Sequence, residues 1–408
     1  MTAREYPVFT VTPKAERSLR AGHPWVYGEE VTAVEGAYQN GDMVDVVSNK
    51  GRYLGTGWVN DHSKIRVRII SRNANDTFDE AFFRRRVCYA LNYRKTVMGP
   101  VDYRCCRLIF GEADQFPGLT VDRFENILVT QVLSLGMERR KDWVYRALVE
   151  LLREDDEQID AIYERNDVTI RTLEGLEQGK GFYQMEGLRT DLSGHVTITE
   201  NGIKYDVDYM EGQKTGFFLD QKYNRQAAAK LARGRRVLDC FTHTGAFALN
   251  AAAAGAEHVT AVDVSAFALE LAAENGKRNG LTNLDYKCAD VFDLLTEMAK
   301  EKKCDYDYII LDPPAFTKSR ATAKNAYHGY KEINRKAMRL LPRGGYLATC
   351  SCSHFMTDEM FRKMLQEAAL DAGVTLRQIE ARQQAPDHPI LPGVPETDYL
   401  KFYLLQVV

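Results

Sequence analysis

The chain has 408 residues, of which 45% are hydrophobic and 27% are charged, and its formal net charge is −3. The length predicts two or three domains, and the composition is ordinary for a globular protein. The near-balanced charge excludes a chain that is basic throughout, so any contact with nucleic acid depends on local patches.

The cysteines and the N-terminal residues narrow the class of protein further. None of the eight cysteines forms a C-x-x-C pair, which argues against a zinc site. Residues 1–5 lack the apolar core of a signal peptide, and no stretch approaches the roughly 18 uninterrupted apolar residues of a membrane helix. We therefore expect a cytoplasmic protein with reduced thiols, no bound metal and no membrane partner.

Residues 1–73 are predicted to form a small β-barrel. Runs rich in strand-forming residues alternate with turns, at 8–11, 43–47, 53–59 and 65–69. In the last run, Arg66 and Arg68 alternate with apolar residues. One face of that strand is therefore expected to be core and the other cationic.

Residues 74–190 predict a central α+β domain, and residues 191–211 predict a β-hairpin connector. A helix is expected from Asp79 to about Val97, and a strand, a helix and a strand follow at 127–132, 140–152 and 161–164. Asn201-Gly202, between two strand-like runs, is a strong signal for a two-residue hairpin turn.

Strand and helix patterns alternate over residues 212–408. Strands are predicted at 236–239, 258–263, 284–287, 308–312 and 345–349, with helical patterns between them, notably at 245–254 and 266–279. Largely apolar strands are typical of sheets that are buried on both faces. The pattern therefore predicts a doubly wound parallel α/β sheet.

Aspartates lie at the predicted ends of four strands: Asp239, Asp263, Asp290 and Asp312. Ligands bind beyond the carboxyl ends of the strands in such sheets. The loop after Asp239 has one glycine, Gly245, rather than the G-x-G-x-x-G phosphate fingerprint. A carboxylate would repel a pyrophosphate but suits a cationic amino group, which favours S-adenosylmethionine over a dinucleotide.

Two of these aspartates have more specific expected roles. Asp263 is expected to accept hydrogen bonds from both ribose hydroxyls, and Asp290 to accept one from the adenine amino group. The alternative for any single aspartate after a strand is a helix N-cap. Four at the strand ends of one sheet favour a ligand site.

The run Asp312-Pro313-Pro314-Ala315-Phe316 precedes Cys350-Ser351-Cys352-Ser353 by about forty residues. An Asp-Pro-Pro turn after an apolar strand is typical of enzymes that hold a flat base or amide beside a methyl donor. A cysteine near the end of the next strand adds a nucleophile, which a pyrimidine carbon requires. The alternative for such a cysteine is inert packing.

On these motifs the C-terminal region resembles the class I S-adenosylmethionine-dependent methyltransferases. The whole chain more closely resembles the ribosomal RNA large subunit methyltransferase I family, which is PUA domain-containing and acts on cytosine C5. The matching segments are residues 22–27, 212–221, 224–225, 237–248, 312–316 and 351–353, and residues 387–389, 395–396 and 399–401 also fit.

The resemblance implies a Rossmann-like methyltransferase domain over 212–408, S-adenosylmethionine as cofactor and large-subunit (23S) ribosomal RNA as substrate. It implies that Cys352 is the nucleophile. The family motif requires no cysteine at position 350, and strand alternation turns Cys350 to the same side, so physics alone leaves the choice open. The implied cofactor-binding residues are Phe218, Gln221, Arg225, Asp239, Thr244, Gly245, Asp263, Asp290 and Asp312.

The expected chemistry begins with attack of the Cys352 thiolate on carbon 6 of cytosine, which makes carbon 5 nucleophilic. Asp312 would hydrogen-bond N3 or the exocyclic amine, and its protonated form would stabilise charge on the ring. Pro313 and Pro314 would hold the base, and Phe316 would stack on it. The base is expected to be flipped out or unpaired. The sequence leaves open which group removes the carbon-5 proton.

A PUA-like domain implies binding to structured RNA. Phosphate contacts are predicted for Lys14, Arg17, Arg66 and Arg68, and Arg84-Arg85-Arg86 is a further cationic group. The alternative for each is a solvated surface charge. The oligomeric state is open and includes a homodimer.

Other functions are weighed against this one. An RNA purine N-methyltransferase would use the Asp-Pro-Pro turn without a cysteine nucleophile. A non-catalytic RNA-binding ribosome-assembly factor would not bind the cofactor, and the intact set of aspartates argues against it. A nicotinamide-dependent dehydrogenase is least favoured because the glycine fingerprint is missing.

Overall fold

The computed structural model describes residues 5–301, 304–317 and 322–408. The chain divides into two compact units. The first comprises the chain up to Ile198 with Val207–Leu219 and Pro386–Thr397, and the second comprises Thr199–Asp206, Asp220–Ala385 and Asp398–Val408. In the described ranges no helix is long and apolar enough to cross a membrane.

The first unit begins with a mixed sheet around one apolar core. Its described elements are Val8–Val11 (β1), Pro13–Arg20 (α1), Trp25–Tyr27 (β2), Val31–Glu35 (β3), Met43–Ser48 (β4), Tyr53–Val59 (β5) and Ile65–Ser71 (β6). The strand order is β2-β6-β5-β4-β1-β3, with β1 parallel to β4 and the other pairs antiparallel. Ala15 and Leu19 of α1 join the buried strand residues in the core.

A second sheet lies in the same unit, in the order β11-β10-β9-β8-β7 for the strands given next. The elements are Glu80–Val97 (α2), Cys105–Phe110 (β7), Leu119–Phe124 (β8), Ile127–Val132 (β9), Leu135–Glu138 (α3), Lys141–Glu154 (α4), Ala161–Asn166 (β10) and Gly179–Phe182 (β11). Helix α2 begins where the Asp79 carboxylate accepts a hydrogen bond from the Phe82 N–H at 2.9 Å, which is a normal N-cap. It packs against α4.

The predicted hairpin is present. Strands His195–Glu200 (β12) and Ile203–Asp208 (β13) are joined by Asn201 and Gly202, with φ of 54° and 79°. Both residues are left-handed, as a type I′ turn requires, and asparagine and glycine tolerate this conformation best.

The second unit contains a sheet with helices packed on both faces. Its strands are Arg236–Cys240 (β14), His258–Asp263 (β15), Leu284–Cys288 (β16), Tyr308–Leu311 (β17), Tyr346–Ser351 (β18), Leu376–Arg382 (β19) and Lys401–Val407 (β20). Its helices are Lys222–Ala229 (α5), Ala246–Ala253 (α6), Ala266–Arg278 (α7), Val291–Glu301 (α8), Ala323–Leu340 (α9) and Asp358–Ala372 (α10).

The order of the described strands is β16-β15-β14-β17-β18-β20-β19. Strands β14 to β18 are parallel, as predicted, but β20 runs antiparallel to β18 and β19 runs antiparallel to β20. These last two strands were not predicted from the sequence, and they extend the predicted parallel sheet with an antiparallel edge. Successive strands are added on one side of β14 and then, from β17 onward, on its other side. Ligands bind in α/β folds at such a topological switch point.

Alternate residues of the central strands enter two separate cores. Leu238 and Leu347 pack with residues of α8, α9 and α10. Val237 and Ala348 pack on the opposite face with residues of α5 and α6. These buried faces fix the strands in register, so that the residues after β14, β15, β16 and β17 share one edge of the sheet.

Candidate active site

The loop after β14 has an unusual backbone. Phe241 and His243 have φ of 63° and 51°, and Gly245 has φ of 83°. Left-handed non-glycine residues are strained, and such residues concentrate at functional sites. A Cβ atom at position 245 would lie 2.9 Å from the Cβ of Ala272. Glycine is therefore required by packing against α7, and the implied cofactor contact of Gly245 stays a prediction.

Asp239 lies in β14 with no exposed surface. Its Oδ2 accepts hydrogen bonds from Thr242 Oγ1 at 2.5 Å and from the Ala248 N–H at 2.9 Å. Its Oδ1 is buried and has no hydrogen-bond partner among the described residues. Burial raises the pKa of Asp239 to about 7. A buried acceptor without a donor indicates a position where a ligand can supply one.

Asp263 and Asp290 both bind backbone N–H groups next to their strands. Asp263 Oδ2 accepts from the His243 N–H at 2.8 Å, and its Oδ1 accepts from the Ser265 N–H at 2.9 Å. Asp290 is exposed, and its Oδ1 accepts from the Asp293 N–H at 3.1 Å. Asp290 thus caps α8, and carboxylate lone pairs remain for a ligand on both residues.

Asp312 follows β17 and is held by a side chain from the start of the second unit. Gln221 Nε2 donates to Asp312 Oδ1 at 3.0 Å. Asn224 Nδ2 in turn donates to Gln221 Oε1 at 2.6 Å, which fixes the amide orientation. Burial raises the pKa of Asp312 to about 6, and the bond from Gln221 opposes that shift. Gln221, predicted to bind cofactor, thus contacts the Asp-Pro-Pro turn.

The turn itself combines a buried and an exposed proline. Pro313 is buried and Pro314 is exposed. The ring of Phe316 lies 4.5 Å from that of Tyr330 and 5.8 Å from that of Phe292. Phe316 therefore packs against the core on at least one side, and the half-buried ring keeps part of its surface accessible.

The two cysteines occupy different environments. Strand β18 ends at Ser351, so Cys350 lies inside it and Cys352 lies beyond it. Cys350 has no exposed surface, and burial together with the charge of Asp312 raises its thiol pKa well above the ordinary value. Cys352 is half-buried, and its Sγ lies 3.9 Å from the carbonyl oxygen of Pro313. Cys352 is thus the thiol that contacts the main chain of the Asp-Pro-Pro turn.

A lysine beside Cys352 received no role from the sequence. Lys401 pairs with Ser351 across β18 and β20, and it is 4% exposed. Its Nζ donates to the carbonyl oxygens of Ser353 at 2.7 Å and Tyr399 at 2.9 Å. No carboxylate lies within ion-pair distance of Lys401 in the part of the chain that is described. The sequence signal that could have identified Lys401 is a lysine at the first position of a mostly apolar strand.

The charge of Lys401 is sensitive to its surroundings. Burial lowers the pKa of Lys401 to about 8, while the negative charges of Asp398, Cys352 and Asp358 oppose that shift. The ammonium form is therefore dominant at neutral pH and is destabilised by desolvation. A thiolate at Cys352 would add to the negative charge that Asp398 and Asp358 supply.

The other predicted cofactor residues, whose role stays a prediction, are Arg225, Thr244 and Phe218. Arg225 Nη1 donates to Glu200 Oε1 at 2.6 Å in a pair that is almost fully buried. Thr244 is half-buried in the loop between β14 and α6. Phe218 belongs to the first unit, where Lys214 Nζ lies 4.9 Å from its ring centre.

Three of the predicted RNA-binding cations are accessible in the first unit. Lys14 is exposed, with Nζ 3.1 Å from Glu30 Oε1. Arg17 is exposed at the surface of α1. Arg66 is half-buried, with Nε 2.8 Å from Asp61 Oδ1. These ion pairs are partly solvated and weak, so they leave the cations available to a phosphate.

Arg68 differs from these three because its guanidinium is buried. Its Nη2 lies 2.7 Å from Glu174 Oε1 and its Nη1 lies 3.4 Å from Glu112 Oε1. The residue is 8% exposed and stacks 5.7 Å from the ring centre of Trp25. The second face of β6 is therefore covered by acidic side chains of the same unit, so Arg68 does not form the exposed cationic face that strand alternation predicted.

The hydrogen-bonding groups of Asp239, Asp263 and Asp290 fit a nucleoside that carries an amino acid better than they fit a metal ion. No group of three or more His, Cys, Asp or Glu side chains in the described ranges could hold a metal ion. The free Oδ1 of Asp239 suits an ammonium group, and Asp263 suits ribose hydroxyls. This is the set that S-adenosylmethionine requires.

Two protein-family models match the chain. A model described as a PUA-like domain matches residues 9–72. A model described as an S-adenosylmethionine-dependent methyltransferase matches residues 183–405, more than half of the chain. The predicted fold class, an N-terminal PUA-like domain and a C-terminal Rossmann-like methyltransferase domain, is confirmed, and S-adenosylmethionine is the cofactor.

Curated relatives match over almost the full chain, and each is named ribosomal RNA large subunit methyltransferase I. The protein from Shewanella denitrificans is 43% identical over 97% of this chain and 98% of its own. The protein from Aeromonas salmonicida is 41% identical over 95% of this chain and 96% of its own.

Solved structures share the fold at lower identity. A protein described as an S-adenosylmethionine-dependent methyltransferase from Streptococcus mutans covers 98% of this chain and 100% of its own, with a TM-score of 0.81 and 22% identity. A methyltransferase solved in complex with SAH has the same coverage and identity and a TM-score of 0.82. By the family model and the curated relatives, the chain belongs to the ribosomal RNA large subunit methyltransferase I family of S-adenosylmethionine-dependent methyltransferases.

Proposed function

We propose that this protein methylates carbon 5 of a cytosine in large-subunit ribosomal RNA through a covalent bond between Cys352 and carbon 6. The observation that carries the proposal is the 3.9 Å contact between Cys352 Sγ and the carbonyl oxygen of Pro313. The nucleophile and the turn that holds a planar base are therefore adjacent. The names of the curated relatives support ribosomal RNA as the substrate.

Carbon 5 of cytosine needs this help because it is a poor nucleophile. Addition of a thiolate to carbon 6 breaks the 5,6 double bond and leaves an enamine whose electron pair is available at carbon 5. S-adenosylmethionine, when bound, supplies an electrophilic methyl group. After carbon 5 is alkylated, its proton leaves, the double bond re-forms and the thiolate is expelled from carbon 6, which returns Cys352 to its starting state.

Cys352 is favoured over Cys350 as the nucleophile. A nucleophilic thiol has to ionise, and the raised pKa of Cys350 opposes this. Cys352 lies beside the ammonium group of Lys401, whose charge favours a thiolate. We assign Lys401 to this role as a positioning residue, because its Nζ also holds the carbonyl oxygen of Ser353 next to Cys352.

Asp312 is proposed to bind the polar edge of the base. Because its pKa lies at about 6, the residue is protonated in part at neutral pH and can donate a hydrogen bond to N3 as negative charge develops on the ring. Gln221 holds the carboxyl group in place. Asp239 and Asp263 are proposed to bind the amino group and the ribose of the cofactor, and Asp290 the adenine amino group.

The test is a covalent trap on RNA. A large-subunit ribosomal RNA fragment with 5-fluorocytidine at its methylated position cannot lose a carbon-5 proton, so the adduct should persist and migrate as a protein–RNA band. Wild-type protein and Cys350→Ala should form this band, and Cys352→Ala should not. Full methylation by Cys352→Ala would overturn the covalent mechanism and favour N-methylation of a purine, and mapping of the methylated nucleotide would identify it.

A further inference from the structure

A groove in the first unit includes Arg85 and Arg86 from the cationic group Arg84-Arg85-Arg86 that the sequence indicated. It has a volume of about 640 Å³ and runs along one face of α2. The face carries Phe82, Arg85, Arg86, Tyr89 and Tyr93, whose spacings of three and four residues place them side by side on a helix. Residues 113–115 and 389–391 of the same unit line the opposite wall.

Arg86 provides a partly desolvated cation in this groove. Its guanidinium lies 4.5 Å from the ring centre of Phe82, and it donates hydrogen bonds to the carbonyl oxygen and the Oε1 of Gln115. No carboxylate lies within ion-pair distance of it in the described chain. Burial lowers the pKa of Arg86 to about 10, so it remains charged at neutral pH. A desolvated cation without a counter-ion costs free energy, and an anionic ligand that binds beside it would reduce that cost.

The carboxylates near the groove are already engaged. Asp114 receives both terminal guanidinium nitrogens of Arg94. Asp76 accepts from Ser71 Oγ at 2.6 Å, and its other oxygen lies 3.7 Å from Arg85. The charge left over in the groove is therefore positive, which selects an anionic ligand.

Two tyrosines give the groove an exposed aromatic surface. Tyr89 is 63% exposed and Tyr93 is 36% exposed. Tyr93 Oη donates to the Pro386 carbonyl oxygen at 3.0 Å, which fixes its ring. Exposed aromatic rings interleaved with arginines are the arrangement on which unpaired bases stack while their phosphates are held.

We propose that this groove binds an unpaired nucleotide of the substrate RNA, with its phosphate at Arg86 and its base against Tyr89. The inference rests on the proposed function for the presence of an RNA substrate, and its residues differ from those assigned to the PUA-like domain and to methyl transfer. The chemistry required is a phosphodiester next to a flat ring, which an RNA strand supplies at each nucleotide.

The experiment measures binding of a fluorescently labelled large-subunit ribosomal RNA fragment to the full chain across a series of salt concentrations. Tyr89→Ala should weaken binding by roughly 5- to 100-fold, whereas Tyr89→Phe, which keeps the ring, should stay within about twofold of wild type. Arg86→Gln should reduce the slope of log affinity against log salt by about one. Arg84→Gln is the matched control because Arg84, on the same helix, pairs with Glu150 and Glu154 outside the groove.

The outcomes separate this inference from the proposed function. Wild-type affinity in both Tyr89→Ala and Arg86→Gln would overturn the groove as an RNA site while leaving the methyltransferase proposal intact. Failure of the wild-type protein to bind or methylate the RNA would overturn both. Calorimetric binding of SAH by each variant, expected at wild-type affinity, shows that the second unit is unaffected, and a loss of RNA affinity equal in Tyr89→Ala and Arg84→Gln would also count against the groove.

Discussion

Lys401 Nζ lies 2.7 Å from the carbonyl oxygen of Ser353 and so links strand β20 to the segment that carries Cys352. The same ammonium group is buried without a carboxylate at ion-pair distance among the described residues. Burial disfavours a cation in this position, and the negative charges of Asp398, Cys352 and Asp358 offset that cost. Lys401 thus holds the main chain next to the proposed nucleophile and also acts on its thiol through charge.

Lys401→Met should raise the pKa of the Cys352 thiol because it removes the charge and retains much of the volume. Each unit of increase lowers the thiolate fraction at neutral pH about tenfold. The rate of iodoacetamide alkylation of the Cys352 peptide, followed by mass spectrometry at pH 7, measures this directly. In wild type the effect should fade above about pH 8, where Lys401 loses its proton.

Lys336→Met is the matched control for the loss of a buried lysine. Lys336 is 9% exposed, and it pairs with Glu332 of α9 and donates to Thr296 of α8. Its replacement should leave the alkylation rate of Cys352 unchanged. Equal rates in Lys401→Met and wild type would remove Lys401 from the mechanism.

Gln221→Leu should raise the pKa of Asp312 above about 6, because the hydrogen bond from Gln221 stabilises the carboxylate. The limb of the pH–rate profile that lies near pH 6 should move to higher pH in this variant. Asp312→Asn should abolish that limb and lower the methylation rate by roughly 100- to 1,000-fold. An unchanged limb in Gln221→Leu would mean that another group titrates there.

Asp290 offers a way to separate a helix cap from a cofactor contact. Asp290→Ala should lower the free energy of unfolding by about 1 kcal/mol, because α8 loses its N-cap. Asp290→Ser keeps a cap oxygen but not the carboxylate. It should keep the stability and still weaken SAH binding by roughly tenfold, measured by calorimetry. Wild-type affinity in Asp290→Ser would leave Asp290 as a cap alone.

Local patterns predicted most of the strands, since alternation and apolar runs depend on neighbours in the sequence. Strands β1 and β5 coincide with the predicted runs at 8–11 and 53–59. Strands β19 and β20 received no prediction, although they complete the sheet. Strand β19 lies at the edge and exposes Arg377 and Gln378, so its pattern does not reveal a buried face, and its antiparallel pairing depends on long-range contacts.

The positions of the site aspartates were also predictable, because the carboxyl ends of neighbouring parallel strands meet at one edge. The contacts that define the site were not. Gln221 reaches Asp312 across 91 positions, and Lys401 reaches Ser353 across 48. Alternation placed Cys350 and Cys352 on one side, but β18 ends between them, and only the fold could reveal that boundary.

The contribution of Asp239 to the stability of the apoprotein should fall as pH rises from about 4 to about 7. Burial raises the pKa of Asp239 from 3.8 to about 7, so the folded state holds a proton that the unfolded state releases within this window. The free energy of unfolding then falls by up to about 1.4 kcal/mol per pH unit for this group, and Asp312 adds an effect of the same sign up to about pH 6.

Asp239→Asn, which keeps an acceptor for Thr242, should flatten the decline in urea denaturation series. SAH should restore more stability at pH 8 than at pH 5 in wild type, because its ammonium group favours the Asp239 carboxylate. An equal dependence of stability on pH in wild type and Asp239→Asn between pH 4 and 7 would contradict this assignment.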